Sequence, residues 1–228
     1  MKHPKIKFRL NKKLDQIILS EFFSHTEKAG FNFKKEIILI HPELKLVDHS
    51  NSLSKVLLNK YVDNFYQENL PVLKRTSTKF QSVWDTIEPE FFNLSDKIFK
   101  NLDWPKGKYI GYISILPVGA RFIESKTFQS CWLWEKNLKA QVIHELLHFQ
   151  FYNLAEQILG QNHSLDDEIW KLSEIFNDIV QREDEFVSLQ GYAPKISYPD
   201  HEDEFTTYLQ IWQEHPETEL FIRTTLKK

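Results

Sequence analysis

The residues of this chain best able to do chemistry lie in the run Val142-Ile143-His144-Glu145-Leu146-Leu147-His148. On a helix, positions four apart stand one turn above each other on the same face, so His144 and His148 can grip a single zinc ion. Glu145 is rotated by about 100° from His144. That offset keeps it off the ion and brings its carboxylate to a zinc-bound water, where it acts as general base. Ala140, Phe151 and Ala155 share the histidine face, and no proline interrupts it. Against this stands the plainer reading of two helix histidines packed or solvated without metal.

A catalytic zinc takes three protein ligands and keeps one position open. Position 151 is Phe and position 154 is Leu, so the metzincin continuation, which needs Gly and His there, is absent. The better third ligand is Glu174, in Trp170-Lys171-Leu172-Ser173-Glu174-Ile175-Phe176-Asn177-Asp178. A helical wheel puts Leu165, Ile169, Leu172, Phe176 and Ile179 on one face and Trp170, Glu174 and Asp178 on roughly the opposite one. Glu174 therefore meets solvent or lines a cleft, and Trp170 one turn earlier favours the cleft. His163 and Glu168 are rival ligands, the first in a connection and the second in a first helical turn, where acids are common anyway.

These side chains need two helices to hold them. Residues 138–159 form the first, with Gly160 just past its end. Ser164, with Asp167 three positions on, makes a capping-box-like start to a second that runs to about Gln190 and is ended by Gly191 and Pro194. Asp200 opens a last helix. Before the motif, residues 108–116, 120–124 and 128–134 read as strands about a turn at 117–119, a compact antiparallel meander that sets Trp132 and Trp134 on one face. The earlier chain reads as a strand at 5–10, a helix at 14–28 stopped by Gly30 and a strand at 31–40. A helix at 51–69 ended by Pro71 follows, then helical sequence through 73–101 broken near Pro89. The segment 104–107 is the best internal boundary. Residues 1–105 thus form an α+β region that caps or builds one cleft wall, and 106–228 the catalytic region, within one compact α+β unit whose mixed sheet includes that meander.

With these residues in view, the chain resembles the gluzincin zinc metallopeptidases, the thermolysin-like group that carries HExxH on one helix and a glutamate on the next. The resemblance spans about residues 109–178. It implies a zincin-like fold, His144, His148 and Glu174 as zinc ligands, Glu145 as catalytic base, and Asp178 as the aspartate that supports the first histidine. It departs in the residues before Glu174, Trp-Lys-Leu-Ser, where the best-known members carry an asparagine just before the glutamate. It also implies a peptide or protein substrate paired with an edge strand, and an oxyanion stabiliser after the ligand helix. Tyr198 and His201 are candidates, because Gly191 and Pro194 can turn that segment back across the cleft; Tyr192 is a weaker one.

Composition limits the alternatives. The 228 residues are 41% hydrophobic and 27% charged, which is a folded chain and not a disordered tail. A net charge of −3 gives no general case for nucleic acid. Arg9, Lys12, Lys13 and Asp15 break any apolar run of signal-peptide type near the start, and no long apolar stretch suggests a membrane span. The single cysteine, Cys131, excludes an internal disulfide and suits a buried thiol, so a cytoplasmic setting is expected. The competing class is a non-enzymatic helical interaction or regulatory protein whose HExxH is accidental or holds a structural metal.

Overall fold

The computed structural model describes residues 3–24, 27–47, 53–160 and 166–226. Strand β1 (Ile6–Leu10) leads into helix α1 (Lys12–Ser24), whose first turn is capped by Asn11 Oδ1 accepting from Leu14 N at 3.1 Å. A short hairpin, β2 (Glu27–Lys28) and β3 (Phe31–Asn32), turns through Ala29 and Gly30, both at positive φ. Gly30 thus serves a hairpin turn and does not stop the helix. Its bare Cα is also required by packing, since a Cβ there would lie 2.7 Å from Asp200 Oδ1.

Of the strand expected at 31–40, only Phe31–Asn32 is extended, and the rest is helical. Asn32 accepts from Lys35 N at 2.8 Å and caps helix α2 (Phe33–Ile40). A short apolar run such as Ile37-Ile38-Leu39-Ile40 carries no period that separates helix from strand, and the cap decides. The break expected at Pro71 and Pro89 is also absent, because helix α3 runs unbroken over 45 residues, Ser54–Ile98. An interior proline costs about 3 kcal/mol. Both prolines are exposed, while the same helix buries Leu58, Val62, Leu73, Phe80, Trp84 and Phe91, and that continuous apolar stripe outweighs the two lost bonds.

The sheet is mixed, as expected, but the strands before the next helix do not form an antiparallel meander. Strand β4 (Tyr109–Ser114) pairs in parallel with β1 and with β6 (Thr127–Cys131), and only the two-residue β5 (Arg121–Phe122) runs antiparallel, on β6 at the sheet edge. Trp132 and Trp134 lie beyond β6, in the turn before the next helix. Trp132 packs on the core, whereas Trp134 lines a cleft.

Helix α4 (Leu138–Leu159) ends at Gly160 in the left-handed conformation. Helix α5 (Asp167–Val180) is capped by Asp166, which accepts from Glu168 N and Ile169 N; His163, Ser164 and Leu165 lie outside the described residues. It stops ten residues short of Gln190. Glu183 is extended and accepts from Trp212 Nε1 at 2.8 Å, and helix α6 (Asp184–Gln190) starts afresh behind it. Two further helices, α7 (Glu202–Glu214) and α8 (Thr218–Thr225), complete the chain where one was expected. One core lies between α3, α4, α5 and the sheet, and a second between α1, α2, the start of α3 and residues 115–120. Each draws on residues from both sides of 104–107. Among the described residues no helix is long and apolar enough to cross a membrane.

Candidate metal centre

Helix α4 passes through the larger core, so His144 and His148 are held by a backbone buried on most sides. Helix α5 crosses it and brings up Glu174 from the face opposite Leu172 and Phe176. That face is buried too, and Glu174 lines the cleft, as Trp170 suggested. Among the described residues His144, His148 and Glu174 form a group whose ligand atoms all lie within 4.8 Å of one another. Glu174 Oε2 is 3.0 Å from His144 Nε2 and 3.4 Å from His148 Nε2, and the two Nε2 atoms are 3.0 Å apart.

Two imidazole nitrogens and a carboxylate oxygen thus converge on one point, as metal-ligating atoms would. Burial opposes a proton on His144, yet the Glu174 hydrogen bond and the Glu174, Glu145 and Asp178 charges outweigh it and lift its pKa to about 9. His148, fully enclosed and repelled by Arg121, is pushed well below the usual range and stays neutral. Two imidazoles and a carboxylate are a donor set that could hold a zinc ion, and His148 Nδ1 lacks the hydrogen-bond partner that usually orients a metal-bound histidine.

Glu145 lies beside the cluster and not within it. Burial raises its pKa, with Arg121 and His144 pulling the other way, which is the direction a general base needs. Its Oε1 lies close to Gly119, where a Cβ would stand 3.0 Å from it.

Sequence reasoning misplaced Asp178 and missed two residues. Asp178 accepts from Ser197 N at 2.9 Å and Ser197 Oγ at 2.8 Å, and so ties down the segment after α6. The atom facing His144 Nδ1, at 3.1 Å, is Gln181 Oε1. The Gln181 amide is itself fixed, donating to Ala140 O at 2.7 Å and Gln190 Oε1 at 3.1 Å. This is the histidine-orienting position, filled by an amide one turn beyond the anticipated carboxylate. Nothing in a glutamine at a helix end announces that. The second is Arg121 on β5, whose Nη2 donates to Glu174 Oε1 at 3.1 Å and whose Nη1 lies 3.4 Å from Glu145 Oε2. Its signal was a lone cation in the strand-like run Ala120-Arg121-Phe122-Ile123.

A cavity of about 1350 Å³ opens over the cluster, and its lining includes Phe22, Phe31, Phe33, Trp170, Tyr192 and Tyr198, with the Phe31 and Tyr198 rings in edge contact. Tyr198 thus reaches the cleft. His201 does not line it and is buried, its ring against Trp170 and Tyr198. Glu168 is exposed and outside the cluster. Comparison with known protein families, curated proteins and solved structures found no match to this chain.

Proposed function

We propose that this chain is a zinc metallopeptidase of gluzincin type, with His144, His148 and Glu174 holding the metal. The observation that carries the reading is the convergence of those three ligand atoms at the floor of a large cleft, with a buried carboxylate, Glu145, beside them. Zinc in this site would act as a Lewis acid toward a carbonyl oxygen and make water a nucleophile near neutral pH. The chain supplies the rest. Glu145, with its raised pKa, takes a proton from the attacking water and passes it to the leaving amine. Gln181 fixes the ring of His144. The β5 edge, unpaired on its outer side, offers main-chain groups to an extended peptide, and the aromatic walls of the cleft suit apolar side chains.

Metal analysis of protein purified without added zinc, together with peptide cleavage by wild type and Glu145→Gln, tests this. One zinc per chain in both proteins is expected, with cleavage lost only in the variant. Cleavage by Glu145→Gln at the parental rate would remove the mechanism. Zinc without cleavage in the wild type would favour a structural metal in a non-enzymatic protein.

A further inference from the structure

We propose that Arg121 is the donor that meets the negative charge developing on the carbonyl oxygen of the bond being cleaved, a role that rests on the peptidase reading above. Its guanidinium touches both the base, Glu145, and the ligand, Glu174, so it stands where a reacting carbonyl would lie. The side chain is 11% exposed, which places a permanent charge in a largely water-excluded site, where such a donor is strongest. Five N–H groups project from a guanidinium. The two glutamates use one each, and the Tyr152 hydroxyl lies against it, which leaves donors over for a substrate oxygen.

The strand supports the same role. Ala120 O accepts from Gln129 N at 2.8 Å, so Ala120 turns its main chain toward β6, and Arg121, the next residue, turns its own toward the open edge. A peptide extended along that edge is carried past the guanidinium. His201 is placed less well, since it does not reach the cleft, whereas Tyr198 lines the cleft with its ring packed on Trp170 and His201 and makes no direct contact with Glu145 or Glu174 among the hydrogen bonds of the described residues. In the reaction, the water oxygen bonds to the carbonyl carbon as its proton passes to Glu145, and the carbonyl π pair moves onto the oxygen facing Arg121. When that pair returns, the C–N bond breaks and the amine nitrogen takes the proton from Glu145. Water and peptide give one acid and one amine.

The test compares zinc-loaded wild type, Arg121→Met and Arg121→Lys. It reads zinc content, melting temperature, affinity for a phenylalanine-derived peptide phosphonate that mimics the tetrahedral anion, and kcat and KM on a quenched fluorescent peptide pool. All three proteins should hold one zinc. Arg121→Met should bind the phosphonate about 100-fold more weakly and lose about 10² to 10³ in kcat with KM changed less than about threefold. Arg121→Lys should recover part of both, since it keeps the charge and loses the fork. Unchanged phosphonate affinity in Arg121→Met would overturn the role, as would wild type that holds zinc yet ignores the phosphonate. Zinc content and melting temperature falling together in Arg121→Met, with no recovery in Arg121→Lys, would make the residue purely structural. Wild type without zinc would instead remove the peptidase reading itself, and this role with it.

Discussion

Two buried polar clusters stand on either side of the sheet, and they are built on opposite principles. In the smaller core, Asp15 is fully enclosed and accepts from Ser114 Oγ at 2.6 Å, Tyr66 Oη at 2.7 Å, Gln129 Nε2 at 2.8 Å and Ile115 N at 3.2 Å. His41 nearby is equally complete, with Nδ1 2.7 Å from Tyr61 Oη and Nε2 2.8 Å from Ile115 O. Neutral partners meet both carboxylate oxygens of Asp15 and both ring nitrogens of His41, and only Gln129 Oε1 among these groups has no partner. At the cleft, charged and titratable groups face one another instead: Glu174 meets His144, His148 and Arg121 within 3.4 Å, and Glu145 meets Arg121. Burial alone does not mark a candidate functional residue, because both clusters are buried. The convergence of charged, ligand-type atoms is what separates them.

The sharpest way to break this comparison is to remove histidines from each side. His144→Ala with His148→Ala should take zinc from one ion per chain to none, read by metal analysis, while far-UV circular dichroism stays unchanged. His41→Ala should do the reverse, lowering the melting temperature and leaving the zinc content at one.

Next in size is Asp15→Ala. It orphans the Ser114, Tyr66, Gln129 and Ile115 donors, each of which costs about 1 to 3 kcal/mol when left unsatisfied, though relaxation and water recover part. A loss of about 4 kcal/mol in urea unfolding is expected, with zinc stoichiometry intact. Loss of zinc at full folding would show that the two clusters are coupled through the sheet.

Asp15 also carries a pH signature that one substitution isolates. Burial, against its four hydrogen bonds, lifts its pKa from 3.8 to about 6. A raised folded-state pKa means that the folded protein binds the proton more tightly than the unfolded chain. The contribution is therefore full below about pH 4 and is lost as pH rises through about 6, an effect of about 3 kcal/mol. Asp15→Asn cannot titrate. Urea unfolding of wild type and Asp15→Asn between pH 4 and 8 should show the wild type losing stability relative to the variant across that window, and parallel curves would remove the assignment.

The division between what sequence shows and what it hides follows the same line. The α4 limits were legible because Leu138–Leu159 is long, made of good helix formers and closed by Gly160. The convergence of His144, His148 and Glu174 was legible because one-turn spacing and a helical wheel are local geometry. Arg121 and Gln181 were not, because each acts through a partner 24 to 53 residues away and carries no period. Helix α3 was hidden for a different reason. Pro71 and Pro89 are locally adverse, and only the buried stripe from Leu58 to Phe92, assembled by the whole fold, outweighs them. The same holds for the sheet, where parallel pairing of β4 with β6 is set by the chain between them and not by either strand's sequence.

A smaller effect sharpens the account of the cleft. Gln181→Leu removes the acceptor at His144 Nδ1, and loss of such a partner lowers metal affinity about 10 to 100-fold. Asp178→Asn should shift zinc affinity less, because its carboxylate holds Ser197. Chelator competition on the two variants decides between them, and a larger loss in Asp178→Asn would restore the aspartate to the role first expected of it.

The smallest effect lies where the two regions meet. The β2–β3 hairpin belongs by sequence to the N-terminal region but docks on α5, with Lys28 Nζ 3.7 Å from the centre of the Trp170 ring and 3.2 Å from Asp167 Oδ1. Asp167 is 90% exposed in its side chain, so that ion pair contributes little, and the ring contact is worth about 0.5 to 1 kcal/mol. Lys28→Ala should therefore cost less than about 1.5 kcal/mol in urea unfolding and leave zinc affinity unchanged. The hairpin is also pinned where Asp200 N donates to Ala29 O and where Gly30 passes against the Asp200 side chain. Gly30→Ala forces a Cβ into that approach at a positive φ, so it should cost more than Lys28→Ala despite touching no charge. If Lys28→Ala proved the more damaging of the two, charge and not close backbone packing would be what joins the N-terminal wall of the cleft to its metal-bearing side.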